Sequence, residues 1–318
     1  MGTPFFSIVI PVYNGISNGL STCLDSIWGQ SLDKSAYEVI CVDDCSPDGS
    51  RAIVERLRKE YSTLKLLTTP ENLRQGGARN LGLDVAQGKY IWFVDSDDCI
   101  VKNCLKGLLD TAEKNHIDLL KFYSQKIGYV FLQEMVNYGP CTGTEFVFDA
   151  PISIPSINRC SCVWDGIISR ELIQNSSIKF AENVQYEDDD FSYQICAFAS
   201  RCQLIAESLY MVRETINSTT RRPNDLRRVV DIYAQAIRMV RLIPRLSAVD
   251  NRWHKLIMLS LRDSFENQIF KMLKECTFLE QLHFWMIDSK SKNCFREYLG
   301  AKSYYKLKSY IVWRILQK

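Results

Sequence analysis

Over residues 6–94, four apolar segments of strand character alternate with three of helical character, an order that commits a chain to a parallel sheet with helices packed on its faces. The strands are expected at 6–12, 37–42, 64–68 and 90–94, and the helices at 20–29, 50–61 and 76–86. In the first helix Leu20, Cys23, Leu24, Ile27 and Trp28 recur at i, i+3, i+4, i+7 and i+8, the stripe that such packing needs. Ligands of open α/β sheets bind beyond the carboxyl ends of the strands. There the second strand runs into Asp43-Asp44 and the fourth stops abruptly on Asp95-Ser96-Asp97-Asp98. Asp95 and Asp97, two apart, offer oxygen ligands to a hard divalent cation, Mg2+ or Mn2+, which a phosphate-bearing substrate would share. Alone, such a triplet is more often a solvated turn, so its neighbours decide its meaning.

With 46% hydrophobic residues, the 318-residue chain can bury a substantial core. Its 39 basic and 37 acidic side chains leave a net charge of +2, which gives no reason to expect nucleic acid as a partner. Twelve scattered cysteines suit free thiols in a reducing cytosol, and Cys160-Ser161-Cys162 lacks the second pair that zinc requires. The amino terminus enters a strand almost at once, and no apolar run approaches the ~20 residues of a membrane span. A cytoplasmic protein is therefore expected, with peripheral contact at the inner face of the cell membrane left open.

Past Lys102 the pattern predicts a helix over 104–115, a strand over 119–124 and an irregular stretch over 144–159. Beyond Asp225 it turns helical, with Val230, Tyr233, Ile237 and Val240, then Trp253, Ile257, Leu261, Phe265, Ile269, Met272 and Leu273 at helix-compatible intervals. Arg221-Arg222-Pro223-Asn224 marks a boundary between an α/β domain, 1–224, and a helical region, 225–318. Residues 296–318 carry six basic side chains against Glu297, together with Tyr304, Leu307, Ile311 and Ile315. That stripe suits an anionic membrane, a partner, or the chain's own body.

Taken in order, Ser7-Ile8-Val9-Ile10-Pro11-Val12-Tyr13-Asn14, Val42-Asp43-Asp44, Glu71-Asn72, Gly76-Gly77-Ala78-Arg79-Asn80-Leu81-Gly82 and Gly88-Lys89-Tyr90 leading to Asp95-Ser96-Asp97-Asp98 resemble the family-two inverting glycosyltransferases of bacterial surface glycans. A fainter likeness continues through Trp164, Arg170-Glu171-Leu172, Tyr186-Glu187-Asp188-Asp189-Asp190-Phe191 and Tyr210-Met211-Val212-Arg213. The resemblance implies a GT-A fold: a Rossmann-like, mostly parallel central sheet flanked by helices, here with a carboxyl-terminal helical appendage. It also implies a UDP-sugar donor, a divalent metal ion (Mn2+ or Mg2+) on Asp95 and Asp97, and a glycan or lipid-linked glycan acceptor.

On that likeness Pro11 and Tyr13 flank the nucleotide base, Asp44 accepts from the uracil imide, and Arg79 lies near the phosphates. Asn14, Asn72 and Ser96 join the donor pocket, and Arg213 approaches the acceptor or the diphosphate, or forms a structural ion pair. Asp44 also suits a loop acid capping the next helix. The acceptor hydroxyl is a weak nucleophile and wants a carboxylate to take its proton. Asp188, the first Asp of the acidic motif, fills that role, with Asp189 its rival. Gly166 departs from the family, whose members commonly have a lysine shortly after the tryptophan. No Gln-x-x-Arg-Trp motif is present, so one or a few sugar additions are expected. A nucleotidyltransferase would want a glycine-rich, lysine-bearing loop after the first strand, which Asn14-Gly15-Ile16-Ser17 does not supply. A degenerate, non-catalytic binding module would have lost the metal acid or the base, and both are present.

Overall fold

A computed structural model describes residues 3–127, 146–149, 162–214 and 226–263, with the single positions 268, 269, 272 and 276. Its first half follows the strand–helix alternation. Strand β1 (Phe6–Val12) is followed by the short helix α1 (Gly15–Asn18) and by α2 (Leu20–Trp28), and β2 (Tyr37–Asp43) by α3 (Ser50–Leu57). Next come β3 (Leu64–Thr68), α4 (Arg74–Val85) and β4 (Tyr90–Phe93). β1 and β2 are buried at every residue, as expected for central parallel strands covered on both faces. β1 pairs in parallel with β2 and with β4, so Ile8 faces Val39 on one side and Trp92 on the other. All four carboxyl ends therefore open on one side. The helix α4 lies close on this sheet because Gly82 has no side chain; a Cβ there would overlap Cγ1 of Val9.

The second half mixes directions. It contains β5 (Cys99–Ile100), α5 (Cys104–Asn115), β6 (Leu119–Ile127), β7 (Phe146–Asp149), β8 (Gly166–Ser169), α6 (Arg170–Ser176), α7 (Glu187–Phe198) and β9 (Arg201–Arg213). The sheet runs β3-β2-β1-β4-β8-β6-β9-β5, with β7 also on β9. Here β8 is antiparallel to both β4 and β6, β9 is parallel to β6, and β5 and β7 are antiparallel to β9. Four of the strands expected in sequence thus form the parallel half; the fifth, expected over 119–124, is β6 in an antiparallel-rich extension added to it. The stretch 144–159, expected to be irregular, holds β7; its other residues lie outside those described.

The chain divides into two compact units, 1–218 and 219–318. In the second, α8 (Leu226–Val249) buries Val229, Ile232, Tyr233, Ala236, Met239, Val240, Ile243 and Leu246. This stripe shares Tyr233 and Val240 with the expected one but takes Val229 and Ala236 in place of Val230 and Ile237. Helix α9 (Arg252–Asp263) buries Trp253, Ile257 and Leu261 and packs against α8. The segment 296–318 lies outside the described residues. Among those described, no helix is long and apolar enough to cross a membrane.

At the amino end of the sheet, away from the acids, Glu38 of β2 is a buried structural carboxylate. It accepts from Ser7 Oγ and the Gln87 N–H, both at 2.6 Å, and pairs with Lys65 at 2.6 Å. Burial raises its pKa, but these three partners outweigh that and hold it below the usual glutamate value. A depressed carboxylate stabilises the fold above its unfolded pKa and loses that contribution as pH falls through the folded one. Glu38→Gln is therefore expected to lower the melting temperature at pH 7 and to flatten its acid-side decline below pH ~4.5. Melting curves from pH 3 to 7 check this; curves parallel to wild type would refute it.

Candidate active site

Strand β1 is followed by Tyr13, exposed at 46%, and Asn14, whose φ of 54° turns the chain sharply out of the sheet. Pro11 does not reach this rim: it is buried within β1 opposite Val42. At the end of β2, buried Asp44 takes Thr69 Oγ1 and the Leu73 N–H on its Oδ1, each at 2.8 Å, and its carbonyl accepts from Asn72 Nδ2 at 3.2 Å. Asp44 thereby ties the loop after β2 to the loop after β3, and exposed Asn72 lies on the same rim.

Beyond β4, the Asp98 N–H closes a turn on the Asp95 carbonyl at 3.0 Å. That turn brings carboxylate oxygens of Asp95, Asp97 and Asp98 within 4.8 Å of one another. Ser96, between them, is buried. Burial, Asp97 and Asp95 push Asp98 up to about 8, against the opposing pull of the Arg213 N–H and the Tyr210 hydroxyl. An all-oxygen set this crowded fits a hard divalent cation, whose charge would relieve the repulsion. Tyr210 of β9 supports the turn from below: it accepts the Asp95 N–H at 3.0 Å, and its ring stacks on Trp164 with centroids 4.7 Å apart.

Arg213, at the end of β9, is 8% exposed; its N–H donates to Asp98 Oδ1 at 2.8 Å, and its Nη1 to the Gly19 carbonyl at 3.3 Å. The structure thus joins it to the acid turn and to the end of α1. Arg79 departs most from expectation. It is 2% exposed, with Nη2 on Asp95 Oδ1 at 2.8 Å and Nη1 on Glu187 Oε1 at 2.5 Å. Burial alone would lower its pKa, but Asp95, Glu187 and Asp188 outweigh it, and the guanidinium stays charged. Buried Glu187 and partly buried Asp95 hold it inward, away from an open phosphate-facing surface.

Helix α7 opens with Glu187, Asp188, Asp189 and Asp190 in its first turn, a placement the helix dipole favours. Half-buried Asp188 lies in the field of Arg79 and Asp95, so the acidic motif stands near the acid turn, to which Arg79 ties it. Burial, then Asp189 and Glu187, push its pKa well above the ordinary aspartate value, with Arg79 opposing and Asp95 adding.

The family model for glycosyl transferase family 2 matches residues 7–201, which contain every one of these acids. The chain belongs to glycosyl transferase family 2. It is 30% identical to Bacillus subtilis glycosyltransferase EpsJ over 69% of this chain and 64% of that protein. It is 36% identical to the poly(ribitol-phosphate) beta-N-acetylglucosaminyltransferase TarS of Staphylococcus aureus over 36% of this chain, but only 20% of that longer protein. Residues 1–349 of S. aureus TarS, solved in complex with UDP-GlcNAc, share the fold with a TM-score of 0.68 at 22% identity, over 87% of this chain and 77% of that one. A Pyrobaculum calidifontis mannosyltransferase solved with GDP-Man and Mn2+ gives 0.52 at 14% identity, over 99% and 88%.

Within this family-2 domain, the anomaly at Gly166 has a physical explanation. A Cβ at Gly166 would come within 2.9 Å of Lys121 Cδ and 2.8 Å of the Leu120 carbonyl. Lys121, from the neighbouring strand β6, fills that space and donates to Asp165 Oδ1 at 2.5 Å and to the Cys162 carbonyl at 2.7 Å. Three other residues shape the family-2 site without a role that sequence assigns them: Glu187 and Tyr210, which lie inside the family-like segments, and Lys121, which lies in none. Their partners lie 108, 115 and 44 positions away in sequence.

Proposed function

We propose that the chain is a metal-dependent inverting glycosyltransferase that moves a sugar from a UDP-sugar to a hydroxyl of a glycan or lipid-linked glycan acceptor. The observation that carries this is the nearness of the three clustered carboxylates of the β4 turn to the half-buried carboxylate of Asp188, the two elements being joined through Arg79. Asp97 with Asp95 would hold a divalent ion, which when bound offsets the charge gathering on the departing diphosphate. Tyr13, Asn14, Asp44 and Asn72 form the rim that receives the nucleoside; Asp44 Oδ1 already holds two donors, which leaves its other oxygen for the base. Ser96 and Arg213 flank the diphosphate end. Asp188 takes the acceptor's proton as that oxygen attacks the anomeric carbon, and the C1–O bond breaks with its electron pair leaving on UDP. A single displacement inverts the centre. Poly(ribitol-phosphate) transferases among the relatives make a cell-surface polymer the first acceptor class to try.

Thermal stabilisation tests the donor reading. UDP with Mn2+ at a hundredfold excess over its Kd should add about 2.7 kcal/mol, several degrees in Tm, and UDP with chelator far less. Equal shifts with and without metal, or hydrolysis of GDP-sugars in preference to UDP-sugars, would overturn it.

The division at residues 218 and 219 separates charge sharply. Residues 219–318 hold 20 Lys and Arg against 9 Asp and Glu, while residues 1–218 hold 19 against 28. On α8, Arg227, Arg241 and Arg245 lie on one exposed stripe, and the neighbouring large apolar residues Val249 and Leu259 are exposed at 42% and 47%. Basic charge with exposed apolar side chains supports peripheral contact of this carboxyl-terminal unit with an anionic membrane at its cytoplasmic face. Flotation should show binding to vesicles with 30% phosphatidylglycerol, lost at high salt; equal binding to neutral vesicles, or none, would refute it.

A further inference from the structure

Three residues of α4, Gly76, Arg79 and Asn80, stand at i, i+3 and i+4 and so share one helix face. All three touch the segment that leads into the acidic helix. At Gly76 the missing side chain lets the Ala181 carbonyl pass, and a Cβ there would overlap it and stand 3.1 Å from Glu187 Cγ. Asn80 clamps the same segment with both ends of its amide: Nδ2 donates to the Phe180 carbonyl at 3.0 Å and to Glu182 Oε1 at 2.9 Å, and Oδ1 accepts the Phe180 N–H at 2.9 Å. Arg79 reaches between the two acidic elements, one Nη on Asp95 and the other on Glu187. Its guanidinium lies 5.4 Å from the centroid of the Phe180 ring, which stacks on Phe191 of α7 at 3.8 Å and meets Phe93 of β4 edge-on at 5.1 Å. Beneath the ion pairs is therefore an aromatic layer drawn from the same elements that carry the acids.

We infer that Arg79 is a positioning residue that fixes the acceptor-activating helix against the donor-binding acids, and that it is not a ligand of the diphosphate. The role rests on the function proposed above. Its logic is electrostatic as well as geometric. Asp95 precedes the acid turn's remaining carboxylates and Glu187 precedes the base, so without a buried cation these groups repel and the crevice opens. Arginine suits the task because its planar fork reaches two carboxylates at once, whereas a lysine ammonium is a single point charge on one stem. Burial at 2% keeps a nucleotide from displacing either pair. Donor-site acids and base are thus held in one ion-paired unit, and a shift of the base by ~1 Å from its attack geometry can cost ~10²-fold in rate.

Steady-state kinetics of Arg79→Lys, Glu187→Gln and the double variant test this, with UDP affinity measured by calorimetry with and without Mn2+. Arg79→Lys should lower kcat about 100-fold while donor KM and metal-free UDP affinity change less than about threefold. Glu187→Gln should do the same more weakly. The double variant should be no worse than Arg79→Lys, because both changes cut one link. Hydrogen exchange should quicken in residues 180–190 of Arg79→Lys and not elsewhere. A rise in donor KM and UDP Kd with kcat intact would overturn the inference and make Arg79 a phosphate ligand. If Arg79→Lys does not fold, Glu187→Gln decides: an unchanged kcat overturns the role. A wild-type protein that transfers no sugar sinks the proposed function and this role together, whereas normal kcat in both variants of an active enzyme sinks this role alone.

Discussion

Asp188→Asn is expected to slow sugar transfer about 10²- to 10⁴-fold, the usual contribution of a positioned general base, while UDP affinity stays within about threefold of wild type. The amide keeps the shape of the side chain and its place in the first turn of α7 but cannot take the acceptor's proton. A second expectation separates a catalytic from a structural carboxylate. Asp188 is held above the ordinary aspartate pKa by burial, then by Asp189 and Glu187, with only Arg79 opposing strongly. A carboxyl raised in the folded state destabilises the fold as pH rises from its unfolded pKa through the folded one. At pH 7 the neutral Asn removes that penalty, so Tm should hold or rise as activity falls, the exchange of stability for function common at active sites. Protonation of the same raised group should also make wild-type kcat fall on the acid side nearer neutrality than an ordinary aspartate would. Asp189→Asn should retain turnover. If instead it is dead and Asp188→Asn active, the base is Asp189.

The parallel half of the sheet was legible because each of its strands is a short apolar run that ends in a turn, and each helix a separate stripe. β1, β2, β3 and β4 lie within one residue of where that pattern puts them. Of the extension only β6 was legible, expected over 119–124 and found over Leu119–Ile127; β5 has two residues and β8 four, too few for an alternation to register. β9 is long, but Arg201, Gln203, Glu207 and Ser208 interrupt its apolar residues, and register shifts break its pairing with β6. The acids of the site were equally visible, standing at strand ends or in one run. What spacing cannot show is which of them meet. Arg79 reads as a phosphate contact until α7 folds back and sets Glu187 beside it. Gly166 likewise reads as a missing lysine until Lys121 is seen filling its place from the next strand but one in sequence.

Asp97→Ala should abolish the metal-dependent part of the UDP-induced rise in Tm and lower sugar transfer by at least about 10³-fold, while the unliganded protein stays as stable as wild type or gains slightly. The opposite signs follow from a single feature. Without a cation, carboxylate oxygens of Asp95, Asp97 and Asp98 crowd within 4.8 Å of one another, and the repulsion that pushes Asp98 up to about 8 costs folding free energy. Removing one carboxylate relieves that cost and also removes the ligand through which a metal would repay it. Asp95 is a poorer choice for this experiment, because Arg79→Asp95 pairing links it to α7 and its loss would disturb base and donor site at once. Asp97→Ala leaves the Arg79–Asp95 ion pair in place. Tm measured with chelator, with Mn2+, with UDP and with both separates the outcomes: a metal-dependent UDP shift that survives in Asp97→Ala would move the cation to other ligands, and a fall in unliganded Tm would make Asp97 a structural acid.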